Sequence, residues 1–196
     1  MTYPIRIARD DDAAAIHAIY APHVTGGVAT FETVLPDVEA MRERIRARLP
    51  QYPWLVWEED GDVLAYAYAG RFRERAAYDW IAETSIYVAA GAQRRGIARR
   101  LYAVLLDALR LQGLNQAVGV ITVPNPVSVG FHESLGFEPA GVWRQCGWKL
   151  GQWWDVGVWQ KELQPAAAPP PTVVPFAGLM QQPAWMALVE RAARAT

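Results

Sequence analysis

Glu83-Thr84-Ser85-Ile86-Tyr87-Val88 and, after a short connection, Gln93-Arg94-Arg95-Gly96-Ile97-Ala98 decide the reading of this chain. The first stretch closes a run from about Trp80 to Val88 that is rich in β-branched and aromatic residues and reads as a strand. The second opens a segment in which Ile97, Leu101, Val104, Leu105 and Ala108 keep helical spacing until Gly113, a natural C-cap. A helix start of this kind presents unpaired backbone N–H groups and a partial positive charge. Gly96 and Ala98 keep bulk away from those amides, and Arg94, Arg95, Arg99 and Arg100 add charge. The arrangement suits a pyrophosphate. Spacing alone leaves open that the basic residues merely cap and solvate an ordinary helix. The loop lacks the Lys-Ser/Thr of a Walker loop, and Gly91 to Gly96 do not form G-x-G-x-x-G, which argues against an ATPase or a dinucleotide enzyme.

Outward from this unit, Ile5 to Ala8 reads as a short strand. Asp10 to Asp12 offer caps for a helix with Ile16, Ile19 and Tyr20 on one face. A second helix starts near Pro36-Asp37, buries Val38, Met41 and Ile45, and shows a solvated face in Arg42, Glu43, Arg46 and Arg48. Trp54 to Glu58 and Val63 to Gly70 are strands joined across Asp60-Gly61, a hairpin signal. Ala117 to Val123 reads as a buried strand, Pro126 to Leu135 as a shorter helix ended by Gly136, and Trp143 to Trp148 and Trp153 to Gln160 as two final strands. The order β-α-α-β-β-β-α-β-α-β-β implies a mixed α/β domain, with a central sheet of about six to seven strands and helices on both faces.

With 196 residues, 52% hydrophobic, and a formal charge of -1, the chain can bury one sizeable core. Nineteen basic and twenty acidic residues, scattered without a block, give no electrostatic reason to expect nucleic acid or a membrane as partner. Cys146 is the single cysteine, and His17, His23 and His132 are too dispersed for a zinc cluster, so neither a disulfide nor a metal is expected. Neither a signal peptide nor a membrane span is evident, and a cytoplasmic protein is expected. Six of the fourteen prolines fall after Gln164. We therefore expect a domain over residues 1–163 and an extension over residues 164–196. That extension comprises a semi-rigid linker and, after Pro183, a helix carrying Trp185, Leu188, Val189 and Ala192 on one face. The helix either covers the chain's own surface or docks a partner.

The loop Gln93 to Ala98 resembles the acyl-CoA pyrophosphate loop of the GNAT N-acetyltransferases, and Asn125, Ser128 and Phe131-His132-Glu133-Ser134-Leu135-Gly136-Phe137 resemble that family's later pantetheine-flanking segment. Tyr52-Pro53-Trp54-Leu55-Val56, Ala77-Tyr78-Asp79-Trp80, Glu83 to Val88 and Trp154-Asp155-Val156-Gly157-Val158-Trp159-Gln160 resemble the phosphinothricin and methionine sulfone acetyltransferase branch. The resemblance spans about Ile5 to Leu163. It implies a GNAT fold and direct transfer of acetyl from acetyl-CoA to the α-amine of a small amino acid such as phosphinothricin, methionine sulfoximine or methionine sulfone, without acetylation of Cys146. It implies a homodimer as well.

On this resemblance Glu83 is the general base, directly or through water, against the alternatives of a structural ion pair or a binder of the ammonium. His132 stands where many relatives carry a proton-donating tyrosine; it handles substrate or protons, shares base duty, or simply packs. Backbone groups at Tyr87 and Val88 pair with the pantetheine. Gln93, Arg94, Arg95, Gly96, Ile97 and Ala98 hold the pyrophosphate, and Asn125 and Ser128 flank the arm. Arg73, Arg75 and Tyr78 bind the acceptor, with Thr30 and Phe31 as pocket walls. The rival functions are acetylation of a polyamine or peptide N-terminus, which Arg73 and Arg75 disfavour, and a non-catalytic acyl-CoA sensor. Trp143, Trp148, Trp153 and Trp154 read as core or interface packing.

Overall fold

The computed structural model describes residues 4–194. A seven-stranded sheet runs in the order β1-β2-β3-β4-β5-β7-β6, with β1 at Ile5–Ile7, β2 at Trp54–Glu59, β3 at Asp62–Arg71, β4 at Ile81–Val88, β5 at Gln116–Val123, β6 at Glu138–Lys149 and β7 at Gln152–Glu162. Every neighbouring pair is antiparallel except β4 and β5. The helices are α1 (Ala13–Thr25), α2 (Val38–Arg48), α3 (Ile97–Leu111), α4 (Pro126–Glu133), α5 (Phe176–Leu179) and α6 (Pro183–Arg194).

Period-two alternation divides the strands between two cores. Trp54, Val56, Tyr66 and Tyr87 face α1 and α2. Leu55, Trp57, Ala65, Ala67, Ala69 and Ala82 face α3, whose Leu101, Leu105 and Leu109 are fully buried. The row of alanines on β3 leaves room for that helix. Asp60 and Gly61, at φ 52° and 91°, make the β2–β3 turn, as the two left-handed positions of a tight hairpin demand.

The strand and helix order read from the sequence holds, with three differences. β6 begins at Glu138 rather than near Trp143: Pro139 and Gly141 disguise it, but the strand is at the sheet edge, where proline is tolerated. Of the cap candidates, Asp12 precedes α1 yet leaves the first turn uncapped. Its carboxylate instead takes both guanidinium nitrogens of Arg6, at 2.7 and 2.8 Å, and the Arg9 amide, tying β1 to α1. Helix α5 was not foreseen.

Residues 164–175 cross the end of the sheet in extended form. Gln164 Nε2 donates to the Leu114 carbonyl, and Trp80 Nε1 to the Pro171 carbonyl at 2.6 Å. The fully buried Gln112 donates Nε2 to the carbonyls of both Gln51 and Val174 at 2.8 Å. Phe176, Leu179, Trp185 and Leu188 then enter the same core as α3, with the Phe176 and Trp185 rings edge to face at 5.1 Å. The C-terminal helices thus cover the chain's own apolar surface. Phe176→Ala should therefore destabilise the whole protein by about 3–5 kcal/mol in denaturant unfolding, with one cooperative transition.

Candidate active site

The parallel pair is short. β4 and β5 run in register only from Ile81/Gln116 to Glu83/Val118. Beyond that point β4 stays with β3 as far as Val88, β5 stays with β7 as far as Val123, and the two strands part. The wedge between them is a cavity of about 530 Å³.

Three side chains close its apex. Thr84 Oγ1 donates to the Val118 carbonyl at 3.0 Å, across the line where the ladder ends. Thr84 also bonds the Tyr102 hydroxyl at 2.6 Å, and that hydroxyl lies 3.1 Å from His132 Nε2. His132 Nδ1 lies 2.8 Å from the Ser128 carbonyl, which can only accept, so Nδ1 carries a proton; with Thr84 donating to Val118, the Tyr102 hydroxyl gives its single proton either to Thr84 Oγ1 or to His132 Nε2. Burial lowers the His132 pKa, with the Ser128 bond opposing, which favours the neutral ring. The ring seats on Gly119 of β5, where any Cβ would come within 2.8 Å of it.

The cavity floor is the open edge of β4, including Ser85, Tyr87 and Val88. Its mouth is the loop into α3. Arg94 and Gly96 adopt left-handed conformations, at φ 62° and 79°, and Gly96 is the N-cap residue of α3. Gln93, Arg94, Gly96, Ile97 and Ala98 all line the cavity, as do Asn125 and Ser128 from the start of α4. Asn125 accepts the Ser128 amide and so caps that helix.

Arg95 departs from the sequence expectation. It lies outside the cavity, its guanidinium 2.6 Å from Glu59 on β2, and braces the loop from behind. Arg99 lines the mouth in its place, one helical turn in.

Glu83 stands at the last paired register, on the opposite face of the sheet from Thr84. Its side chain is exposed to solvent. Desolvation raises its pKa above the usual 4.5, against the pull of Arg48 and then Arg73. Phe31 lies against Gly147 of β6, where a Cβ would meet the ring at 2.2 Å. Thr30 bonds Tyr20, and its carbonyl accepts from the buried Lys149 ammonium. These contacts hold the α1–α2 loop over the same face as Glu83. Of the three residues expected to bind an acceptor, Arg73 is near enough to act on Glu83 and rests over the Phe72 ring. Arg75 is exposed, and Tyr78 turns to a separate hollow of about 330 Å³ beside the linker. Neither is brought to Glu83.

Sequence reasoning missed Tyr102, His23 and Arg48. The first lay within an apolar helical stripe. His23 lines the cavity from α1 beside the Tyr87 ring, and nothing in its local sequence marks it. Among the described residues no cluster of His, Cys, Asp or Glu is placed to hold a metal ion, and no helix is long and apolar enough to cross a membrane.

Residues 5–158 match the acetyltransferase (GNAT) domain family. The chain is 38% identical to phosphinothricin N-acetyltransferase of Streptomyces viridochromogenes, covering 85% of this chain and 91% of the relative. It is 36% identical to the L-methionine sulfoximine/L-methionine sulfone acetyltransferase of Salmonella typhimurium, over 84% and 97%. Among solved structures, a GNAT superfamily phosphinothricin acetyltransferase from Sinorhizobium meliloti, in complex with acetyl-CoA, superposes with a TM-score of 0.83 at 36% identity, covering 90% of this chain and 97% of that one.

The raised pKa of Glu83 has a consequence for stability. A carboxyl whose folded pKa lies above its unfolded value disfavours the fold once it ionises, so the penalty is absent below about pH 4 and complete above the folded pKa. Glu83→Gln should raise the melting temperature relative to wild type by an amount that grows as pH rises from 4 to 7, as read by thermal unfolding across that range.

Proposed function

The chain belongs to the GNAT acetyltransferase family, and from that premise we propose that it transfers acetyl from acetyl-CoA to the α-amine of a small amino acid or analogue. Acceptors of the kind named for its relatives are phosphinothricin, methionine sulfoximine and methionine sulfone. The observation that carries this reading is the parted pair β4 and β5, with an amide-rich, arginine-flanked loop at the mouth of the opening and the Glu83 carboxylate at the last paired register, on the opposite face of the sheet from Thr84.

Bound acetyl-CoA supplies the acetyl group already activated as a thioester. The residues present suit it. The loop amides at Gly96, Ile97 and Ala98, with Arg94 and Arg99, receive the diphosphate. The unpaired edge of β4 at Tyr87 and Val88 receives an extended arm as an added strand would, with Asn125 and Ser128 on the far wall. Glu83 takes a proton from the acceptor ammonium, directly or through water, and its raised pKa makes it a better base at neutral pH. With Nδ1 bonded to the Ser128 carbonyl and Nε2 facing the buried Tyr102 hydroxyl, His132 seats the α4 wall, and base duty falls to Glu83. Arg73 supplies positive charge on the acceptor side. Cys146 is exposed on β6, and a direct transfer does not use it.

The test is acetyl-CoA-dependent thiol release with phosphinothricin, methionine sulfoximine, methionine sulfone, a polyamine and a peptide, for wild type and Glu83→Gln. Wild type is expected to turn over the amino-acid analogues, and the variant to lose about 10²- to 10⁴-fold in kcat. Turnover of the polyamine or peptide alone would transfer the assignment to another amine. Acetyl-CoA binding without release would leave a sensor.

We further propose a cytoplasmic homodimer. Val142, Trp143, Trp148, Leu150 and Trp153 are each 45–57% exposed along the β6–β7 hairpin, and such an apolar strip on a sheet edge suits an isologous interface. Light scattering should give twice the 21.8 kDa chain mass, and Trp148→Lys with Trp153→Lys should return the monomer value.

A further inference from the structure

Helix α2 carries four arginines, and their surroundings set one apart. Arg42 pairs with Glu39, Arg44 with Glu32, and Arg46 with Asp10. The guanidinium of Arg48, in the last turn, has no hydrogen bond or ion pair among the described residues. It is nonetheless held in place: its guanidinium carbon sits 5.1 Å from the centre of the Tyr68 ring. Nη1 lies directly over Gly70, where an added Cβ would come within 2.4 Å of it.

Gly70 is the cross-strand partner of Glu83. Directly paired residues of antiparallel strands project to the same face, with their Cβ positions about 5 Å apart. The guanidinium over Gly70 and the carboxylate of Glu83 therefore rise side by side from β3 and β4. Arg48 is the cation that acts most strongly on the Glu83 carboxyl. Yet the two do not close into an ion pair. Arg48 and Glu83 are both exposed to solvent, and Arg48 and Gly70 also border a cavity of about 780 Å³ lined by Tyr52, Arg71, Glu74, Asp79, Trp80 and residues 170–173 of the linker.

An unpaired cation fixed beside an unpaired carboxylate is the charge inverse of an α-amino-acid zwitterion, whose ammonium and carboxylate are joined through one carbon. We propose that Arg48 receives the α-carboxylate of the acceptor while Glu83 faces its amine, so that Arg48 over Gly70 selects α-amino acids over simple amines. This rests on the proposed function and assigns the acceptor's carboxylate within it. Gly70 is part of the device, because only a residue without a side chain lets the guanidinium lie on the strand. Arg73 is left for the acceptor's distal polar group.

The experiment is steady-state kinetics of the full chain with methionine sulfone and with its α-carboxamide, for wild type, Arg48→Gln, Arg48→Lys and Gly70→Ala. The readout is the acid-to-amide ratio of kcat/KM compared between enzymes, in which intrinsic amine basicity cancels. Arg48→Gln should raise KM for the acid by about 10- to 100-fold, leave KM for acetyl-CoA unchanged, and abolish the preference for the acid. Arg48→Lys should keep part of the preference, since it retains charge without the fork. Gly70→Ala should weaken the preference while Arg48 is still present, with a melting temperature close to wild type. An unchanged ratio in Arg48→Gln overturns the assignment of Arg48 while leaving the function standing. Failure of wild type to acetylate any α-amino acid overturns both.

Discussion

Where β4 and β5 separate, a sheet gives up backbone hydrogen bonds that it would otherwise make, and the rest of the molecule is arranged around that loss. Buried main-chain groups need partners. Here Thr84 supplies one from a side chain by donating to the Val118 carbonyl, and Tyr102 and His132 extend the bonding to the base of α4. The network is buried and closed, which keeps the apex rigid while the edge of β4 beyond it stays open. Gly119 belongs to the same arrangement, because His132 reaches Tyr102 only by lying on bare backbone.

The sheet also separates two kinds of chemistry. On the α3 face is the apex of polar groups, Thr84, Tyr102 and His132, while the cavity lies between the parted strands and is lined from the α1 side by His23 and Tyr87. On the α1–α2 face are Glu83, Arg48, Arg73 and a layer of stacked aromatics, with Tyr66 and Tyr87 at 5.2 Å and Trp54 and Tyr68 at 4.4 Å. Burial raises the pKa values of Tyr66 and Tyr87, so this layer stays neutral and leaves the charges of the site to act on one another. The parted strands are the passage by which the two faces meet.

Much of this was legible in the sequence because it depends on local chemistry. The Asp60-Gly61 turn, the Gly96 loop and the apolar stripe of α3 each follow from neighbouring residues. What was hidden depends on distant partners. Arg94 and Arg95 are adjacent and alike in sequence, yet Glu59, 36 residues from Arg95, draws one out of the cavity. Arg46 and Arg48 read alike as a solvated face, and only the fold provides Asp10 for the first and Gly70 for the second. Tyr102 is indistinguishable from core by periodicity, since its ring packs as core while its hydroxyl does not. β6 was masked at its start because its proline is harmless only at an edge, and edge position is a property of the whole sheet.

The docking of α5 and α6 bears on how the protein is made. Phe176, Leu179, Trp185 and Leu188 fill a core whose other walls include β1, β2 and α3, and the Gln112 amide bonds both the Gln51 carbonyl before β2 and the Val174 carbonyl before α5. During translation those walls are synthesised first and wait with an apolar face uncovered until the last helices leave the ribosome. Folding of this core is therefore completed by its most recently synthesised segment, and a nascent chain halted before residue 176 would expose the surface that chaperones recognise.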